Sequence, residues 1–164
     1  MAKHFVLVGG VILGTLALTV GLGFLGTRSG RVLGTRSAAG PIDDVTTACV
    51  QHTGLGMHIH PNVRIVIKGE EQTIPANIGI QPGCMRPIHT HDDSGTLHLE
   101  FPGEQDVRLG QFFAVWGKTF NKNCIFDRCN SPEGTVKFFV NGQPNEEHEN
   151  YPMKDGDKIE IRYE

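Results

Sequence analysis

The sequence predicts an α+β domain, a mixed β-sheet crossed by one short helix, behind an N-terminal transmembrane helix. Three observations predict it. An uncharged apolar run fills residues 5–26, apolar and polar residues alternate from Met57 onward, and one segment, residues 108–117, switches to helical spacing. At 164 residues the chain has room for one domain plus an appendage. The division expected is an anchor at 1–26, a flexible linker at 27–47 and a globular, His-rich, β-rich domain at 48–164.

The run "FVLVGGVILGTLALTVGLGFLG" (5–26) holds no charge and only two hydroxyl residues, Thr15 and Thr19. A helix of about 20 such residues crosses a hydrocarbon core. A cleaved signal peptide has a shorter apolar core ending close to a small-residue site, whereas "SAAG" (37–40) lies well beyond this run. An uncleaved single-pass anchor is therefore expected, with the membrane as a partner. Arg28, Arg31 and Arg36 follow the span and Lys3 precedes it. That asymmetry argues for a cytoplasmic domain, whereas the cysteines argue for an extracytoplasmic one. The segment "TRSGRVLGTRSAAGP" (27–41) has linker composition. Beyond residue 40 the chain carries 11 basic and 18 acidic residues, a formal −7. So acidic a domain is unsuited to phosphate contacts, so no nucleic-acid partner is expected.

From Met57, one face of a strand collects Met57, Ile59, Val63, Ile65 and Ile67, and the other His58, His60, Asn62, Arg64 and Lys68. "KGEEQ" (68–72) reads as a turn, and "TIPANIGI" (73–80) as a returning strand interrupted by Pro75. In "PIHTHDDSGTLHLE" (87–100), turn chemistry in "DDSG" folds two short strands into a hairpin. Centred between Asp93 and Ser94, it pairs His91 with Thr96 and His89 with His98. Directly opposed residues share a face, which gathers His89, His91, His98 and Glu100. In "RLGQFFAVWG" (108–117), Leu109, Phe112, Phe113 and Trp116 recur at helical spacing and Gly117 supplies the stop. This aromatic stripe is core. "TVKFFV" (135–140), the "NG" turn and "DKIEIRY" (157–163) complete the strands, with Ile159, Ile161 and Tyr163 inward. A β-grasp-like arrangement with an inserted His hairpin is expected, with a β-sandwich or small barrel as the alternative.

Four cysteines allow three pairings. Cys124 and Cys129 could close a small ring, and Cys49 with Cys84 could tie the two His-bearing segments together. Disulfides require an oxidising compartment. Free thiols and four thiolates around zinc are the competing readings, and the spacings disfavour zinc: four residues intervene between Cys124 and Cys129, and Cys49 and Cys84 form no close pair with any other cysteine.

The histidines carry the chemistry. Imidazoles at alternating strand positions project in parallel, so His58, His60, His89, His91 and His98, with Glu100, form a candidate transition-metal site. Zinc or copper suits these donors best, and iron or manganese is possible. Thr90, Asp92 and Asp93 are candidate outer acceptors that would orient the imidazoles. Met57 and Met85 could add soft sulfur donors favouring Cu(I). His148, among the carboxylates of "NEEHEN", reads as solvated; His4 and His52 receive no role.

Four motifs in order, "MHIHPNVRIVIKGEEQTIPANIGI", "CMRPIHTHDDSGTLHLE", "LGQFFAVWG" and "VNGQP…KDGDKIEI", give a resemblance covering residues 48–163. The chain resembles a family of uncharacterised exported or membrane-anchored proteins of bacteria and archaea. The resemblance implies an extracytoplasmic domain and a Cys49–Cys84 disulfide, and no particular activity. "HTH" followed by an acid is also weakly similar to the first cupin motif. The glutamate, however, lies nine residues past His91, and no second cupin motif follows.

The function expected is metal handling, or support of a neighbouring membrane or redox protein. A metal-dependent oxygenase or hydrolase, with Asp92, Asp93 or Glu100 as general base, is the enzymatic alternative. A metal-free interaction module is the third. No nucleophile elbow, phosphate loop or dinucleotide fingerprint supports another enzyme class.

Overall fold

A computed structural model describes residues 43–164. The expected anchor and most of the expected linker lie outside these residues. Among the described residues no helix is long and apolar enough to cross a membrane.

Among the described residues the fold is α+β, with short strands, one α-helix and no closed barrel. In chain order the elements are β1 (Met57–Ile59), β2 (Asn62–Ile67), β3 (Glu70–Gln72), β4 (Ile80–Gln81), β5 (Cys84–Met85), β6 (Ile88–His89) and β7 (His98–Phe101). Then follow α1 (Leu109–Trp116), β8 (Phe120–Asn121), β9 (Cys124–Ile125), β10 (Arg128–Cys129), β11 (Val136–Val140), β12 (Gln143–Pro144) and β13 (Lys158–Tyr163). The single sheet expected is divided into four: β12-β11-β13-β2-β3, β1-β7-β6, β10-β9-β8 and β4-β5.

The largest sheet is mixed, because β13 runs parallel to β2 while its other neighbours are antiparallel. Its registers align Ile159 with Val63 and Val140, and Ile161 with Ile65 and Phe138. Period-two alternation thus turns one apolar face inward, and these six side chains are buried. The Asn141–Gly142 turn joins β11 to β12 with φ of 52° and 77°, the left-handed values that a tight hairpin requires. Helix α1 covers the core with Leu109, Phe112 and Phe113 and stops at Gly117, whose φ is 70°. At the other end, the Gln111 side chain accepts the Arg108 backbone N–H at 2.8 Å. Phe113 packs on Phe120 with centroids 4.8 Å apart, and Trp116 meets Phe126 edge-on at 5.3 Å.

The long strand expected from Met57 is broken at Pro61. Lacking an N–H, Pro61 ends one ladder, and the chain enters a different sheet at Asn62. Parity survives the break, so Met57, Val63 and Ile65 are all buried. The "KGEEQ" turn is confined to Lys68 and Gly69, and residues 70–72 form edge strand β3 beside β2. Residues 73–79 form no strand. Asn77 has φ of 62°, and Ile74 and Ile78 are anchored in the core from a loop.

The hairpin ladder is also shorter than expected. His89 pairs with His98 as the sequence implies, but Thr96 bridges Asn62 instead of His91. Val63 N–H donates to Gly95 O at 2.9 Å, and Leu97 N–H to Pro61 O at 2.9 Å. The turn is thereby docked on β2. Gly95 (φ 80°) fits because any Cβ there would lie 2.3 Å from Val63 O.

Cys49–Cys84 and Cys124–Cys129 are both disulfides, with Cα atoms 5.2 and 4.0 Å apart. Two disulfides indicate an oxidising environment and exclude the four-thiolate site.

Candidate metal centre

The three-stranded sheet assembles the site through its registers. In β1 and β7, Met57 opposes Phe101, His58 opposes Glu100 and Ile59 opposes Leu99. In β6 and β7, Ile88 opposes Leu99 and His89 opposes His98. Ile88, Leu99 and Phe101 have no exposure and face the core. The alternate positions, His58, Glu100, His98 and His89, therefore share the opposite face. His60 follows β1 at the same parity, and His91 follows β6.

The cluster has a buried floor and an open rim. His89 is 0% exposed and Glu100 1%, whereas the side chains of His52, His58 and His60 are 58%, 46% and 41% exposed. His58 Nε2 and His60 Nε2 lie 3.1 Å apart; His89 Nε2 and His91 Nε2 lie 3.2 Å apart. A cation with Zn–N bonds of about 2.0–2.1 Å and tetrahedral angles holds two nitrogens about 3.3 Å apart. Each His-X-His pair therefore has nearly the separation of two ligands of one ion. His98 sits between the pairs, its ring centroid 4.7 Å from His60 and 4.5 Å from His91. Two three-ligand groups result, His58–His60–His98 and His89–His91–His98, with donor atoms within 4.8 Å of one another in each.

Protonation suits these donors to a cation. His89 Nδ1–H donates to Arg86 O at 2.9 Å, which leaves Nε2 as a bare lone pair facing His91. Burial pushes His89 down to about 4, overcoming the upward pull of the Arg86 carbonyl and Glu100. Burial also lowers His98, helped by His91 and His60. Both rings are consequently neutral and able to ligate at neutral pH.

Glu100 has the least satisfied environment in the cluster. Its Oε1 lies 3.0 Å from His52 Nδ1 and 3.1 Å from His58 Nε2. Its Oε2 is buried and has no hydrogen-bond partner among the described residues. A carboxylate oxygen in that position is costly unless a hydrogen-bond donor, a proton or a cation satisfies it.

The expected outer acceptors have other work. Thr90 is buried, but its hydroxyl donates to Pro75 O at 2.8 Å and accepts Ile78 N–H at 3.0 Å, so it pins the 73–79 loop. Asp92 accepts Ser94 N–H at 3.0 Å; hydrogen bonds from Ser94 lower its pKa and shape the turn. Asp93 is exposed. The groups actually placed against the rings are Arg86 O at His89, Glu100 at His52 and His58, and Asp155. The last accepts His60 N–H at 2.8 Å and lies 3.9 Å from its Nδ1. Met57 is a core residue on the face opposite His58, so its sulfur is turned away. Met85 pairs with Ile80 and bridges Val50. His148 is buried against Phe138, with centroids 5.5 Å apart, and is not solvated.

His52, given no role above, belongs to the cluster. Val50 N–H donates to Met85 O at 2.8 Å beside the Cys49–Cys84 disulfide, and this strap carries His52 over Glu100. The signal was present in the sequence: Cys49 lies three residues before His52, and Cys84 five before His89.

No protein-family model, curated protein or solved structure matches the chain.

Proposed function

We propose that this protein binds a transition metal ion, copper or zinc foremost, through His58, His60, His89, His91, His98 and Glu100, with His52 at the rim. One observation carries the reading. Imidazole nitrogens converge at 3.1–3.2 Å beside a buried carboxylate whose Oε2 is unpartnered. N–H···N hydrogen bonds between neutral rings can also span those distances, so the weight falls on Glu100 Oε2, which no ring or backbone group among the described residues satisfies. All-nitrogen and oxygen donors suit Zn(II) and Cu(II), with Fe(II) and Mn(II) less favoured.

The setting is the extracytoplasmic side of a membrane, held by the apolar run at 5–26. Supporting this are the disulfides and the resemblance to exported bacterial and archaeal proteins. The role is metal handling, or support of a neighbouring membrane redox protein. The β-grasp-like reading of the fold rests on the mixed five-stranded sheet with, among the described residues, one α-helix.

The exposed rim favours a second reading, a metal-dependent oxygenase or hydrolase, because catalytic sites keep a coordination position open. In it Glu100, already against two imidazoles, is the better general base than Asp92 or Asp93 in the turn.

Thermal unfolding of the purified full chain with added Zn(II) or Cu(II) tests the proposal. At a hundred times the dissociation constant, bound metal adds about 2.7 kcal/mol of stability and raises Tm by several degrees. An unchanged Tm, with less than about 0.1 metal per chain after dialysis, would refute it and leave the cluster as a metal-free docking surface.

A further inference from the structure

The cluster offers seven donor groups: six imidazoles and Glu100. A tetrahedral ion takes four ligands and an octahedral one six. The donors also divide spatially. His58 and His60 form one close pair, His89 and His91 the other, and each pair comes from a different segment. His98 joins both groups. Its ring lies 4.7 and 6.1 Å from His60 and His58, and 4.5 and 5.3 Å from His91 and His89. Imidazole carries nitrogens on opposite sides of its ring, so one ring can serve two ions about 6 Å apart at Zn–N bond lengths of about 2.0–2.1 Å.

We propose that the cluster is a two-metal centre, with one ion on His58 and His60, a second on His89 and His91, and His98 shared between them through its two ring nitrogens. This rests on the metal-binding reading above. The two positions differ in character. The His58–His60 position is open and lies against Glu100 Oε1 and His52, so carboxylate charge is available to it. The His89–His91 position is anchored on a fully buried ring whose tautomer the Arg86 carbonyl fixes. The second position is the more preorganised and fills first; the first fills later and exchanges faster. Sharing His98 requires its remaining N–H proton to leave to solvent as the second ion binds, so the second equivalent releases one more proton than it otherwise would.

The test is calorimetric titration of the full chain with Zn(II), together with electron paramagnetic resonance during Cu(II) loading. Two ions per chain are expected, falling to one in His60→Ala and to one in His91→Ala. The isolated Cu(II) signal should grow through the first equivalent and diminish through the second, as ions across one ring couple. In His98→Ala the signal should instead grow in proportion to bound copper. One ion per chain, abolished by either His60→Ala or His91→Ala, would overturn the two-metal centre while leaving metal binding intact. Two ions with uncoupled signals, unaltered by His98→Ala, would overturn the sharing. No ion at all would overturn metal binding itself. His60 and His91 are chosen because their side chains are not buried in the core, and circular dichroism of each variant confirms the fold.

Discussion

Two polar faces of this molecule are built by the same alternation and end in opposite chemical states. On the outer face of the five-stranded sheet, Arg64 Nε lies 2.8 Å from Glu71 and Arg64 Nη1 3.5 Å from Glu160, while Arg162 also pairs with Glu160. Positive and negative groups there satisfy one another in water. On the face formed by β1, β7 and β6, six histidines surround one buried carboxylate, and one of its oxygens lacks a partner among the described residues. Period-two patterning makes a polar face; whether that face is merely solvated depends on whether its groups complement one another. The first face needs nothing further. The second leaves one carboxylate oxygen that a bound cation would satisfy.

The comparison can be broken first through what the faces share. Ile65→Ala and Leu99→Ala each remove a fully buried side chain beneath one of the faces. Each should cost about 2–5 kcal/mol in denaturant unfolding, but only Leu99→Ala, lying between His98 and Glu100, should also weaken Zn(II) binding. Equal effects on binding would mean that the faces are not distinct.

The disulfides sharpen it next. Opening Cys49–Cys84 by Cys→Ser at both positions should cost about 3–4 kcal/mol for a loop of 35 residues, against about 2 kcal/mol for the separation of 5 at Cys124–Cys129. The first pair should also lower metal affinity, because its strap places His52 over Glu100. The second pair should leave affinity unchanged, as titration of each variant would show.

Protons provide the third comparison. In the metal-free protein His89 titrates at about 4, while an unfolded histidine titrates near 6.5. Between those values the unfolded chain binds the proton and the folded one does not. Stability is therefore full above about 6.5 and falls as pH drops toward 4, by roughly 2–3 kcal/mol. The midpoint of urea unfolding, followed from pH 7 to 4, should decline accordingly, and His89→Gln should flatten that decline.

Smallest are the changes that touch neither the core nor the cluster. Arg64→Ala removes exposed ion pairs and should alter stability by less than about 1 kcal/mol, with metal affinity intact. Thr90→Val is the intermediate control. It leaves Ile78 N–H and Pro75 O unpaired at a cost of about 1–3 kcal/mol, yet should not change metal affinity, since its hydroxyl serves the loop.

What the sequence revealed follows from local chemistry. Alternation exposed the inward faces of β2 and β13, helical spacing exposed α1, and "DDSG" with parity was enough to oppose His89 and His98. Tertiary events hid the rest. Pro61 passes one alternating run between two sheets without changing its parity, so the pattern alone looked like a single strand. Thr90 resembled an outer acceptor by its position between two histidines, but alternation turns it away from them and into the 73–79 loop. His52 has no periodic pattern of its own, and it reaches the cluster only through a backbone bridge and a disulfide. His148 lies in an acidic segment yet is buried by Phe138, which sequence neighbours do not reveal.

The most direct measurement is nitrogen-detected NMR of the histidine rings in the full chain, before and after one equivalent of Zn(II). The expected result is a large shift of the His89 Nε2 resonance, with shifts of the His91 and His98 ring nitrogens, while His89 Nδ1 keeps its proton on the Arg86 carbonyl. Ring-nitrogen resonances that do not move on adding Zn(II) would contradict a metal-binding face.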